Sequence, residues 1–251
     1  MILYGRNPVR EALRGRRAAQ VGEVWATART AREDLLAGIP VHVASAEEIA
    51  ARCGSEAHQG VCAEAGAYPY VPGEELLSAA EPLIVVLDQV QDPQNLGAIA
   101  RTAECAGAAG VVIAERRAAE VTPAVCKASA GAVEHIPVAR VRNIADFLGD
   151  ARDAGCWVYG ASAPAQQAGS DPGRGPRAPI PYDRPDYNGA GVVLVLGAEG
   201  AGLRPRVAGA CDELVALPVR GRVASLNVSA AAAALLYGIL QNRFAGLDNA
   251  S

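Results

Sequence analysis

Three polar strings carry residue types from which a binding or catalytic site can be built. The first, DQVQDPQNLG over Asp88 to Gly97, places Asn95 shortly before Arg101. The second, GAEGAGLRP over Gly197 to Pro205, sets one acid, Glu199, among closely spaced glycines. The third, LPVRGRVASLNVSAAAAALLY over Leu217 to Tyr237, brings Ser225 and Asn227 to the mouth of an apolar helix, just behind the basic turn Arg220-Gly221-Arg222. Hydroxyl and amide groups at a helix entrance, fed by a basic loop, suit an anionic or polyhydroxyl ligand. Each string also has a purely structural reading. Ser and Asn are ordinary helix caps, and Asp92-Pro93 fits a cap followed by proline in the first turn. Arg101 fits an exposed helix residue pairing with Glu104, the glycines fit a tight turn, and Glu199 fits a solvated loop acid. A dinucleotide or nucleoside-triphosphate loop is excluded. The glycines of GAEGAG stand at relative positions one, four and six instead of one, three and six, Glu199 would repel a diphosphate, and there is no Walker lysine.

The elements that must position these strings alternate. Leu83 to Leu87 is a near-continuous apolar run, as expected of a strand buried on both faces. A helix is expected over Leu96–Ala106, then a strand over 111–114, a helix near 122–130, a strand over 136–141, a helix over 143–154 and a strand over 156–161. Strands over 192–196 and 214–219 and a last helix from about 228 to 244 complete the series. Such alternation predicts a parallel sheet with helices on both faces. In open parallel sheets ligands bind outside the carboxyl ends of the strands, and all three polar strings follow strands. Residues 163–191, rich in proline and glycine and carrying Arg174, Arg177 and Arg184, interrupt the pattern as an irregular excursion.

Residues 1 to 65 read as a separate small α/β unit. Asn7 is expected to cap a first helix with Pro8 at its first position, residues 30–37 to form a second helix, and Ser45 to open a third. Residues 66–80, opening with GAYPYVPG, read as a linker, and residues 81–251 as the second unit. Residues 1 to 32 hold seven arginines against two acids, although the whole chain carries a net charge of -4. A phosphate-facing patch and a solvated surface both fit that excess. Half of the 251 residues are hydrophobic and a fifth charged, as in a globular chain with a sizeable core. The six cysteines form no C-x-x-C pair, which favours reduced thiols in a cytoplasmic protein and no metal centre. The longest apolar run, Ala230 to Leu240, is too short to span a bilayer.

In order, spacing and chain position, LDQVQDPQNLGAIARTAECAG, LVLGAEGAGLRP and LPVRGRVASLNVSAAAAALLYG resemble the three signature motifs of the SpoU (TrmH) family of RNA ribose 2′-O-methyltransferases. KASAGAVEHIPV, from Lys127, resembles a further family segment. YGRNPVREAL, from Tyr4, and HQGV, from His58, are similar to the substrate-binding domain of the RlmB-type branch, which modifies large-subunit ribosomal RNA.

The resemblance implies a trefoil-knotted α/β domain of the SPOUT class behind a small N-terminal RNA-binding domain, and a homodimer formed through the knot. It implies S-adenosylmethionine as methyl donor, held around Gly197, Gly202, Leu217 and Leu226. The family's polar catalytic positions fall on Asn95, Arg101, Glu199, Ser225 and Asn227. Arg6, Arg10, Arg14, Arg16 and Arg17 become candidate RNA phosphate contacts. The expected substrate is a guanosine of 23S ribosomal RNA. A tRNA or other ribosomal target, and a non-catalytic RNA-binding or assembly factor of the same fold, are the alternatives. No metal and no membrane partner is expected. The proline- and glycine-rich segment 163–187 departs from the family pattern.

Overall fold

The computed structural model describes residues 1–163, 178–223 and 225–248. The stretch 164–177 of the expected excursion, with Arg174 and Arg177, and Ala224 of the third string lie outside the described residues.

The chain forms two sheets. The first contains β1 (Ile2–Tyr4), β2 (Val21–Ala26), β3 (His42–Val43) and β4 (Val61–Ala65) in the order β1-β4-β2-β3. Helices α1 (Arg6–Ala12) and α2 (Ala46–Cys53) accompany it. Ser45 caps α2 in a capping box with Glu48, as its sequence suggests. Two other expectations fail locally. The cap of α1 is Gly5, not Asn7, so Pro8 falls two positions deeper in the first turn, where its missing N–H still costs nothing. Gly5 has φ +95, a conformation that residues with a Cβ rarely adopt, which favours glycine at this turn. Residues 30–37 make two single 3₁₀ turns, Thr30–Arg32 and Asp34–Leu36, because Glu33 between them is extended.

The second sheet is parallel, with seven strands in the order β7-β6-β5-β10-β8-β11-β9. They are β5 (Leu83–Asp88), β6 (Gly110–Ala114), β7 (Val138–Val141), β8 (Cys156–Ala161), β9 (Ile180–Pro181), β10 (Gly191–Gly197) and β11 (Glu213–Ala216). Its helices are α3 (Gly73–Leu77), α4 (Pro93–Cys105), α5 (Pro123–Ala128), α6 (Ile144–Asp153), α7 (Pro205–Ala208) and α8 (Val228–Asp248). The apolar run of β5 divides between two cores, as burial on both faces requires. Leu83, Val85 and Leu87 pack in the layer that holds Ile99 of α4 and Leu235 of α8, while Ile84 and Val86 face Ile144 and Leu148 of α6. Burying each such side chain stabilises by about 1.5–3 kcal/mol.

The stretch expected as a linker is packed down. The Val71 N–H donates to the Val138 carbonyl at 3.1 Å, extending the sheet beyond β7, and the Tyr68 hydroxyl donates to the Val133 carbonyl at 2.8 Å. Among the described residues no helix is long and apolar enough to cross a membrane.

Candidate active site

The loops after β5, β10 and β11 leave the same carboxyl edge of the parallel sheet, so all three polar strings converge there. Asp92 caps α4, accepting from the Gln94 N–H at 3.0 Å, with Pro93 in the first turn. Leu96, Ile99, Ala100 and Ala103 follow at helical spacing and are buried, which fixes the rotation of α4 and carries Asn95 inward. Gly97 lets α4 approach α5 closely, since a Cβ there would stand 2.4 Å from the Ala128 Cβ and 2.9 Å from the Val125 carbonyl oxygen.

Asn95, Glu199 and Asn227 form a closed triangle. Asn95 Nδ2 donates to Glu199 Oε1 at 3.0 Å. Asn227 Nδ2 donates to Asn95 Oδ1 at 3.0 Å and to Glu199 Oε1 at 2.7 Å. On its other side, Asn227 Oδ1 accepts from the Ser229 N–H at 2.8 Å and from the Ser229 hydroxyl at 2.6 Å. One amide therefore caps α8 and faces the site at once, its oxygen toward the helix and its nitrogen toward Asn95 and Glu199. The structural and functional readings of this residue are not alternatives.

The glycines of the second string act through the backbone. A Cβ on Gly197 would stand 2.2 Å from the Gly202 carbonyl carbon, and Gly200 and Gly202 have φ of +76 and +66. The loop folds back on itself, with the Gly202 N–H donating to the Ala198 carbonyl at 2.9 Å. A cavity of about 630 Å³ opens beside it, walled by residues 196–203, 161–163, Leu217, Val219, Ser225, Leu226 and Asn227. The expected strand to Val219 stops at Ala216, and the chain leaves the sheet there to wall this cavity.

Gly197, Gly202, Leu217, Leu226, Glu199, Ser225 and Asn227 all border the cavity, and Asn95 joins them through the triangle. Arg101 is exposed on α4, one turn beyond Gly97, and among the described residues it pairs with neither Glu199 nor Glu104. Ser225 is exposed at the cavity and stands outside the triangle. Sequence reasoning missed Asp88, which is wholly buried and accepts from Arg204, from its N–H at 2.9 Å and its Nε at 2.7 Å. This pair ties the first string to the second. The signal was available in a charged residue closing an apolar strand.

The arginine-rich N-terminus separates into different roles. Arg14 and Arg16 are exposed. Arg6 pairs with Glu33, and Arg10 with Glu11 at 2.7 Å. Arg17 is wholly buried and paired with the wholly buried Glu134, so it is no surface contact for phosphate. The Arg17 guanidinium also donates to the Gly66 carbonyl at 3.2 Å and lies 5.3 Å from the Tyr68 ring centroid.

Residues 82–237 match the SpoU rRNA Methylase family, and residues 2–71 match an RNA 2'-O ribose methyltransferase substrate-binding family. YacO of Bacillus subtilis (strain 168), a putative TrmH family tRNA/rRNA methyltransferase, is 42% identical over 191 residues, 74% of this chain and 71% of its own length. A putative TrmH family tRNA/rRNA methyltransferase of Staphylococcus haemolyticus is 31% identical over an alignment of 267 residues, covering 100% of this chain and 99% of that protein. The AdoMet-bound rRNA methyltransferase from Sinorhizobium meliloti superposes with a TM-score of 0.76 at 27% identity, over 96% of this chain and 86% of its own. With both segments matched and the motif residues assembled on one sheet edge, the chain belongs to the SpoU (TrmH) family of S-adenosylmethionine-dependent RNA methyltransferases, of the α/β-knot (SPOUT) class.

Proposed function

We propose that the chain methylates a ribose 2′-hydroxyl of RNA, and that the target is a guanosine of 23S ribosomal RNA. The triangle of Asn95, Glu199 and Asn227 at the mouth of the cavity carries this reading. The match of residues 2–71 to an RNA 2'-O ribose substrate-binding family supports the ribose as acceptor. We assign residues 1–65 to RNA selection, residues 66–80 to the connection and residues 81–251 to transfer. The protein works in the cytoplasm.

The cavity fits the methyl donor. Its volume of about 630 Å³ lies within the ordinary range for small-molecule sites. Leu226 is 53% exposed, an apolar side chain that a flat purine would cover. Backbone groups of residues 197–203, with Leu217 and Leu226, would hold the adenosine and methionine parts. The bound donor supplies a methyl group already activated on a sulfonium. The protein's task is then an in-line approach of the 2′-oxygen, release of the 2′-hydroxyl proton to solvent, and accommodation of the charge that develops on the oxygen. Asn95 and Asn227, both anchored on Glu199 Oε1, orient the ribose. A guanidinium has no free lone pair, so Arg101 holds the adjacent phosphate and stabilises negative charge on the attacking oxygen.

Two architectural proposals accompany this reading. The family's threaded path, with the C-terminal stretch passed through a loop, accounts for α8 packing on both α4 and β10. The exposed Tyr237 and Phe244, two turns apart on α8, form part of a homodimer face; equilibrium sedimentation at monomer mass would remove that proposal.

The test is mapping of 2′-O-methylation in RNA from a strain lacking the gene, followed by transfer assays on that RNA. Loss of one guanosine methylation in 23S ribosomal RNA is expected, and loss confined to tRNA would overturn the assignment. Arg101→Ala is expected to bind S-adenosylmethionine normally and to lose at least about 100-fold in transfer, the scale of one lost oxyanion contact. Turnover near that of the parent protein would remove Arg101 from the mechanism.

A further inference from the structure

We propose that Arg116 and Arg117 form a phosphate-binding ridge that holds the RNA backbone beside the target ribose. The inference rests on the carboxyl edge of the sheet being the catalytic edge. It adds a substrate contact outside the three motifs and outside the N-terminal unit.

Position is the first observation. The loop that carries both arginines follows β6, which pairs in parallel with β5. It therefore leaves the sheet on the same edge as the string containing Asn95. It is also fastened to that string. The Ala119 N–H donates to the Val90 carbonyl at 2.9 Å, and Gln91 Nε2 donates to the Arg117 carbonyl at 3.4 Å.

The far side of the loop is fixed as well. Arg140 Nη2 donates to the Glu115 carbonyl at 3.2 Å and to Glu120 Oε1 at 3.1 Å, with its guanidinium 5.0 Å from the Tyr70 ring centroid. The Val121 N–H donates to the Tyr70 hydroxyl oxygen at 2.8 Å. Arg140 thus occupies the acid at the loop's end, leaving Glu115 as the one acid not so engaged. Arg116 and Arg117 are exposed, and among the described residues neither has a carboxylate partner. Other exposed arginines, Arg14, Arg16, Arg29 and Arg101 among them, are likewise without one among the described residues, so the bracing of the loop and its place at this edge single out the pair.

The backbone at Arg117 is the second observation. Its φ is +59, in the left-handed region that a residue with a Cβ enters only at a cost. Glycine would take this turn without strain, so backbone comfort does not account for arginine here. Strained residues of this kind concentrate at functional sites. Two adjacent guanidiniums on a braced loop match phosphate oxygens bidentately. Such contacts set the register of an RNA strand without reading its sequence.

The experiment uses the full chain and unmodified ribosomal RNA from a strain lacking the gene. Binding is measured across a salt series for the parent protein, R116A/R117A and R117G, with S-adenosylmethionine affinity and Tm measured alongside. R116A/R117A should bind the RNA roughly tenfold or more weakly, and the slope of log affinity against log salt should fall by about 1.5. Its S-adenosylmethionine affinity should be unchanged. R117G should weaken RNA binding with no loss of Tm, because glycine relieves the strained φ. An unchanged RNA affinity and salt slope in R116A/R117A would overturn the ridge, and would also be the result if the loop served an acidic protein partner. If the parent protein itself fails to methylate this RNA, the proposed function falls instead, so the two failures are distinguishable.

Discussion

Asn227 concentrates two demands in one side chain, and substitution can separate them. Its oxygen terminates the backbone of α8, while its nitrogen holds Asn95 and Glu199. Replacing a cap by alanine costs about 1 kcal/mol, so a loss of activity in Asn227→Ala would mix folding with chemistry. Asn227→Ser keeps a cap acceptor and removes the amide donor. We expect its thermal midpoint to stay within a few degrees of the parent while transfer falls at least about tenfold, as loss of a charge-assisted hydrogen bond implies. Parent-like transfer in that variant would reduce Asn227 to a cap. The polar types of all five site residues were visible in the sequence, but their partners were not. Glu199 fits a solvated loop acid in the sequence, and in the structure it accepts from Asn95 and Asn227. Which donor reaches a loop carboxylate depends on the fold-back at Gly197 and Gly202, a tertiary fact that residue spacing does not contain.

At the scale of elements, the alternating run from β5 to α8 was legible because both of its periods are written in apolar residues. Leu83 to Leu87 is apolar throughout, and Leu96, Ile99, Ala100 and Ala103 repeat at helical spacing. Residues 30–37 misled because a helical composition says nothing of the extended Glu33 that splits them into two 3₁₀ turns. The contact between α4 and α5 was equally hidden, although Gly97 marks it. By intrinsic propensity Gly97→Ala should strengthen α4 by about 1 kcal/mol. Packing reverses the sign. The new methyl group would meet the Ala128 Cβ at 2.4 Å and backbone of Val125 and Ser129 at 2.9 Å, and neither backbone atom can swing aside. Overpacking of this kind costs about 1–3 kcal/mol. We expect a lower thermal midpoint and reduced transfer, because α4 also positions Asn95 and Arg101. A raised midpoint would show that the two helices part without difficulty.

At the scale of the whole molecule, the N-terminal arginines show where sequence reading stops. Arg14 and Arg17 look alike as members of a basic run, yet one is exposed and the other is sealed against Glu134. Burial is decided by residues more than a hundred positions away. The contact surface lies on the segment after α5, where the Arg16 N–H donates to the Glu134 carbonyl at 2.9 Å and Glu11 meets the His135 ring at 2.8 Å. Burial raises the pKa of Glu11, but hydrogen bonds from His135 and Arg10 outweigh it and leave the carboxyl below its ordinary value. A depressed folded-state pKa stabilises above the unfolded value, about 4.3, and that contribution is lost as pH falls through the folded one. The stability gap between the parent and Glu11→Gln should therefore close as pH is lowered below about 4. A gap that persists unchanged in acid would mean that the carboxylate charge is not what joins the two units.

The Arg17–Glu134 pair makes a stronger demand on the same seam. Both side chains are wholly buried, and the guanidinium is further occupied by the Gly66 carbonyl. Removing one partner of a buried pair strands the other charge and typically costs about 3–5 kcal/mol, whereas exchanging both for apolar groups of similar volume is often neutral. Arg17→Met should accordingly shift the urea midpoint sharply downward. Arg17→Met with Glu134→Leu should recover most of that loss, although the Gly66 carbonyl then lacks a donor. Hydrogen exchange at residues 14–17 and 132–136 distinguishes the local consequence from the global one. If the pair holds the units in one orientation, the single variant exchanges faster there before the rest of either sheet opens. The double variant should regain stability and yet bind RNA less well wherever that orientation is needed. Were Arg17→Met as stable as the parent, the buried pair would contribute nothing to joining the two sheets, and the apolar contacts of Leu3, Tyr68 and Val133, with the Arg16 and Glu11 hydrogen bonds to Glu134 and His135, would suffice to hold them.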